Sequence, residues 1–168
     1  STVDLWRPSQ KNVLSYTSSD SNVELSAQAA LIYDLTDEER LYEKNSKERL
    51  PIASLSKIMT AVIALENKRQ DDRYYVSKSN LVGENSMGLT PGEVLTLEEL
   101  LYGLILPSGN DAAEVLASNY PGGRAEFVKA MNDKASSLGL ENTNFTNPSG
   151  LEGDGKQYST AYDLLVIT

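Results

Sequence analysis

The 168 residues contain no histidine and no cysteine. Without cysteine there is no disulfide, no thiolate nucleophile and no thiolate metal site. Without histidine the His-assisted serine triad is excluded, and so is the commonest metal ligand. A nucleophilic catalyst built from this chain must take its general base from Lys, Asp, Glu or Tyr. No catalytic metal and no other cofactor is expected. Long apolar runs are also missing, so no segment reads as a membrane span. Positive charge is scarce: 15 Lys and Arg stand against 24 Asp and Glu, for a net charge of −9. Phosphate binding needs a basic surface, so nucleic acid is not an expected partner.

With 40% hydrophobic and 23% charged residues, the composition suits a globular domain with one sizeable core. Residues 1–24 are polar and rich in Ser, Thr and Asn. They read as a loosely ordered arm or the start of a mature exported chain. The domain proper is expected over residues 25–168, with an α/β composition of the α+β type. "AQAALIYDL" (Ala27–Leu35) and "RLYEKN", joined by "TDEE", read as an antiparallel hairpin reaching Asn45. "DDRYYVS" and "GEVLT" are short strand candidates.

"PIASLSKIMTAVIAL" opens a helix. At about 100° per residue, Leu55, Ile58, Met59, Ala61, Val62, Ile63 and Leu65 cover more than half its circumference. Such a helix is buried on most sides. Ser54 and Lys57 fall on one edge of that face beside Ala61 and Ala64, so partial desolvation of Lys57 is expected. Thr96 with Glu99 forms a capping box for the next helix, through Leu97, Leu100, Leu101, Leu104 and Ile105. Pro107-Ser108-Gly109-Asn110 breaks it. A short helix from Asp111 to about Tyr120 follows, then one over Arg124–Leu138 with Gly139 as its stop. A polar loop leads to a last helix capped by Thr160 and Asp163.

Ser54 and Lys57 suit serine catalysis without histidine. Spaced i and i+3, they share a helix face. A lysine acts as base once desolvation and the positive helix end lower its pKa. The Ser54 N–H is a candidate oxyanion-hole donor. The pattern alone does not decide the matter. With 19 serines and nine lysines in the chain, about one S-x-x-K is expected by chance. Ser54 is also readable as an N-cap and Lys57 as a snorkelling side chain. Ser108-Gly109-Asn110 is likewise readable as an ordinary interhelical loop.

The segments "PIASLSKIMTA", "NSMGLTPGEVLTLEELLYGLILPSGNDAAEVLA", "FVKAMNDKASSLGLENTNFTNPSGL" and "YSTAYDL" occur in the order found in the low-molecular-mass penicillin-binding proteins. From about Leu25 onward the chain resembles these serine D-alanyl-D-alanine carboxypeptidases; the S-x-x-K element belongs to their known motif set. The resemblance implies a penicillin-binding protein/serine β-lactamase-like fold, an antiparallel sheet plus a helical subdomain. It implies Ser54 as acylated nucleophile, Lys57 as general base, Ser108 as proton relay and Asn110 as substrate-binding residue. The implied partners are a peptidoglycan stem peptide and β-lactams, at an extracytoplasmic location. The family's third motif, Lys-Thr-Gly or a variant, does not occur in this sequence. The chain therefore reads as the N-terminal portion of the catalytic domain, ahead of the late strands, with a complementing C-terminal fragment or a neighbouring copy as a further expected partner. Two alternatives stand beside this reading. One is a non-catalytic module binding peptidoglycan or a partner. The other is a class A-like β-lactamase, for which Glu141-Asn142-Thr143-Asn144 lies in the right region without the E-x-x-L-N pattern.

Overall fold

A computed structural model describes residues 25–151 and 155–168. The arm expected over residues 1–24 lies outside them. Strands β1 (Ala30–Asp34) and β2 (Glu39–Lys44) form the antiparallel hairpin. The hairpin is shorter than Ala27–Asn45. Asp34 Oδ1 accepts from the Thr36 and Asp37 N–H groups and turns the chain early. The register shifts between Ile32 and Tyr33, where a bulge leaves Leu41 without a partner.

Helix α1 runs Ser56–Glu66, behind a 3-10 turn over Ala53–Leu55. Strands β3 (Tyr74–Tyr75) and β4 (Val94–Leu95) fall within the strand candidates "DDRYYVS" and "GEVLT", and they pair with each other antiparallel. Helix α2 (Leu97–Ile105) carries the expected capping box: Glu99 N–H donates to Thr96 Oγ1, and the Glu99 carboxylate accepts from Thr96 N–H. Helices α3 (Asn110–Ser118), α4 (Arg124–Ser137) and α5 (Ala161–Ile167) complete the chain. Thr160 caps α5 by accepting from Asp163 N–H at 2.9 Å.

Helix α1 lies between two apolar clusters, which is why its apolar arc is so wide. Ala61 and Ala64 face one, with Tyr74, Val76, Leu100, Leu104, Val115 and Leu116. Ile58, Met59, Val62 and Ile63 face the other, with Phe127, Met131, Ala135, Phe145 and Ile167. Leu100, Leu104, Val115 and Met131 are wholly buried, each worth about 1.5–3 kcal/mol of transfer free energy. The hairpin is less well covered: Ile32 and Leu41 are 52% and 51% exposed.

Candidate active site

Ser54 stands exposed in the 3-10 turn, two residues ahead of α1. The helix N-cap is Leu55, without a side-chain cap, so the N-cap reading of Ser54 does not hold. The turn arises because Ala53 takes a left-handed φ of 44°. Lys57 is the second residue of α1 and is only 2% exposed, a far deeper burial than its place at the edge of the apolar face suggests. Its Nζ lies 3.0 Å from Ser54 Oγ, 2.8 Å from Asn110 Oδ1 and 2.6 Å from the Ser149 carbonyl oxygen. Burial lowers the Lys57 pKa below the ordinary lysine value.

These three neighbours constrain the proton. The Ser149 carbonyl can only accept. Asn110 presents Oδ1 to Lys57 because its Nδ2 donates to the Glu84 carbonyl, 3.3 Å away, which can only accept. An ammonium donates to all three. A neutral amine has two hydrogens, and the two obligate acceptors take both. Its lone pair is then left for Ser54, the only one of the three that carries a proton to give. Loss of one proton thus turns Lys57 from a donor to Ser54 into an acceptor from it, without side-chain movement.

The surrounding backbone holds this geometry. Asn110 N–H donates to the Asn85 carbonyl at 2.7 Å. The wholly buried Asp111 carboxylate accepts from Ser86 Oγ and from the N–H groups of Met87, Leu89 and Ala112. Burial alone raises its pKa; the four donors outweigh burial and hold it below the usual carboxylate range. On the other side, Thr60 Oγ1 donates to the Pro148 carbonyl at 2.7 Å. Asn147 Oδ1 accepts from Ser149 N–H at 3.2 Å and Gly150 N–H at 2.7 Å. Gly150, at φ 85°, lies so close that a Cβ would sit 1.9 Å from the Ala53 carbonyl oxygen. Among the described residues, four of the seven non-glycine residues with positive φ are Ala53, Glu84, Asn85 and Ser108. Backbone strain therefore concentrates here, as it does at functional sites.

Ser54, Lys57 and Asn110 come together across 53 residues of separation between the last two, as the motif reading expected. Ser108 lies on the α2–α3 loop, half-buried at φ 59°, and makes no side-chain hydrogen bond to Ser54 or Lys57. Glu141 is exposed, and its carbonyl, with Asn142 Oδ1, accepts from Arg49. Thr143 Oγ1 donates to Asp163 at 2.7 Å. That segment is tied to Arg49 and α5, away from the Lys57 cluster. Sequence reasoning missed Ser149, which it placed only within a polar loop, because a backbone acceptor leaves no side-chain signature.

A family model described as D-alanyl-D-alanine carboxypeptidase, peptidase S11, matches residues 16–168. The chain belongs to this family. It is 40% identical over 147 residues to the D-alanyl-D-alanine carboxypeptidase DacF of Bacillus subtilis, covering 84% of this chain and 38% of that protein. The crystal structure of the carboxypeptidase DacD from Francisella tularensis superposes with a TM-score of 0.80 at 32% identity, covering 99% of this chain and 39% of the other. The carboxypeptidase structure from Mycobacterium tuberculosis gives 0.77 at 38% identity, covering 84% of this chain and 54% of that one. The chain thus spans about two fifths of the first two relatives. The fold is that of the penicillin-binding proteins and serine β-lactamases, as the sequence implied. Relatives named endopeptidase, from Pseudomonas aeruginosa and Escherichia coli, are 37% and 38% identical.

Proposed function

We propose that Ser54 carries out acyl transfer on a peptidoglycan stem peptide ending in D-alanyl-D-alanine. Lys57 Nζ takes the hydroxyl proton as Ser54 Oγ bonds to the carbonyl carbon of the penultimate D-alanine. The C–N bond breaks, the proton passes to the departing amine through Ser108, and D-alanine leaves. Water then cleaves the ester and restores Ser54. Asn110 holds the substrate amide while fixing Lys57. A β-lactam meets the same attack, but its amine stays tethered after the ring opens, so the ester persists. The reaction belongs outside the cytoplasm, where stem peptides are found. The observation that carries this reading is the buried Lys57 Nζ, whose two obligate acceptors leave its lone pair for Ser54.

Lys-Thr-Gly, the strand that in the resemblance binds the substrate carboxylate, has no counterpart in the sequence. The half-exposed Ile32 and Leu41 of the hairpin support an added layer there. A further segment of polypeptide or a neighbouring copy supplies it. The test is the full-length protein with a fluorescent penicillin, read by intact mass, and with a D-Ala-D-Ala peptide, read by D-alanine release. A stable adduct lost in Ser54→Ala, together with D-alanine release, is the expected result. Rapid adduct loss points to a β-lactamase. No adduct and no release leave a binding module and refute the proposal.

A further inference from the structure

The Ser149 carbonyl comes from a loop 92 residues away from Lys57 in sequence, yet it must be placed to a fraction of an ångström. What sets it is visible one layer out. Gln157 Oε1 accepts from the N–H groups of Thr146 at 2.9 Å and Asn147 at 3.0 Å. Gln157 Nε2 donates to Ser56 Oγ at 2.8 Å. Ser56 is wholly buried, and its Oγ donates in turn to the Ala53 carbonyl at 2.8 Å. One amide therefore joins the loop that carries Ser149 to the turn that carries Ser54. No reading of the sequence singled out Gln157 or Ser56.

We infer that Gln157 is a positioning residue for the reaction: its side-chain amide locks the 146–150 loop to the Ser54 turn and so holds the Ser149 carbonyl against Lys57. The inference rests on the acyl-transfer reading above. The Gln157 amide hydrogen-bonds to Thr146, Asn147 and Ser56, and to neither Ser54 nor Lys57. It acts by keeping one of the two obligate acceptors in place. Without that acceptor, one amine hydrogen has no fixed partner and the lone pair no longer points reliably at the serine.

A loss of fold stability alone does not imitate the predicted signature. A carbonyl acceptor stabilises the ammonium more than the amine. Its withdrawal lowers the Lys57 pKa further, while the rate falls because geometry is lost. No charged side chain contributes to the Lys57 shift, which burial causes. The nearest carboxylate in the chain to Asn110, that of Asp111, is engaged by its four donors.

The experiment compares the full-length native protein with Gln157→Leu, Gln157→Glu and Ser56→Ala. Two quantities are read: penicillin acylation rate against pH, and the Lys57 titration midpoint by NMR of the labelled side chain. Gln157→Leu should lower the plateau rate about 10- to 100-fold, on the scale of a small misplacement of catalytic groups. Its Lys57 midpoint should move to lower pH. Gln157→Glu keeps the acceptor contacts to the loop and should retain more of the rate. Should Gln157→Leu not fold, Ser56→Ala severs the same link from the other end and should show the same downward midpoint. An unchanged Lys57 midpoint in the folded variants, or a plateau within about twofold of native, overturns the role of Gln157. The NMR midpoint needs no turnover, so the role is decided even where the native protein forms no adduct, an outcome that refutes the acyl-transfer reading separately.

Discussion

Replacing Gly150 by alanine should disable the nucleophile turn without touching a functional side chain. The new Cβ would lie 1.9 Å from the Ala53 carbonyl oxygen, 2.4 Å from its carbon and 2.9 Å from Ser54 N. All three are backbone atoms, so no rotamer change relieves the contact. Reaching ordinary contact at 3.4 Å demands that the loop and the turn part by about 1.5 Å. A misplacement of about 1 Å can lower a rate on the order of 10²-fold. We therefore expect penicillin acylation to fall about 10²-fold in Gly150→Ala. The left-handed backbone, at φ 85°, adds a strain of about 1–2 kcal/mol. Gly92→Ala separates the two effects. Gly92 has φ 94° and nothing within 4 Å of its Cβ position. That variant should take on similar strain, lowering Tm by about 2–4 °C per kcal/mol in a domain of this size. Its acylation rate, per folded molecule, should stay native. Stopped-flow acylation and thermal melts of both proteins decide the point. A native rate in folded Gly150→Ala, or an equal loss of rate in Gly92→Ala, refutes the reasoning.

Lys57→Ala should cut acylation by about 10²–10⁴, the range for loss of a general base; Lys57→Arg should not rescue it, because a guanidinium stays protonated. Burial lowers the folded pKa of Lys57 below the unfolded value, so the native acylation rate should rise with pH below the ordinary lysine range as the amine forms. Over the same window the unfolded chain binds the proton more tightly, so stability should also rise with pH. Asp111 has the same sign, in a more acidic window. Its folded pKa is depressed, so its contribution is present above the unfolded carboxyl value and lost as pH falls through the folded one. Asp111→Asn should destabilise the protein by about 1.5–3 kcal/mol, the scale of a hydrogen bond to a charged group, and flatten its acid-unfolding profile in urea titrations at several pH values.

Side-chain chemistry was legible in the sequence, and backbone chemistry was not. The i, i+3 spacing of Ser54 and Lys57 and the SGN loop identified three groups that do converge. The capping pairs Thr96–Glu99 and Thr160–Asp163 marked two helix starts correctly, because each is a local hydrogen-bond pattern. Ser54, read at the start of this helix or as its N-cap, lies instead in the 3-10 turn ahead of α1. Ala53 adopts a left-handed conformation that alanine does not favour, with Gly150 packed close against its carbonyl and Ser56 Oγ donating to it. The Ser149 and Glu84 carbonyls and the Gln157 bridge join positions far apart in the chain. No composition, periodicity or motif encodes such pairings. The location of Ser108 was legible from its loop, while its side-chain contacts were not.

Helix α1 is the wall shared by two apolar clusters, and this has a consequence for how the base comes into being. Asn110 opens α3, whose Ala112, Ala113, Val115 and Leu116 belong to one cluster. Ser149 follows Phe145 of the other. The environment of Lys57 is therefore a product of assembly: each half of the molecule delivers one acceptor, and neither alone completes the setting of the proposed base. Partial opening of either half should extinguish the proposed reactivity before the chain unfolds globally. In hydrogen exchange, amides around Asn110 and Ser149 should respond separately to mutations in the two clusters, while reactivity at Ser54 follows whichever half opens more readily.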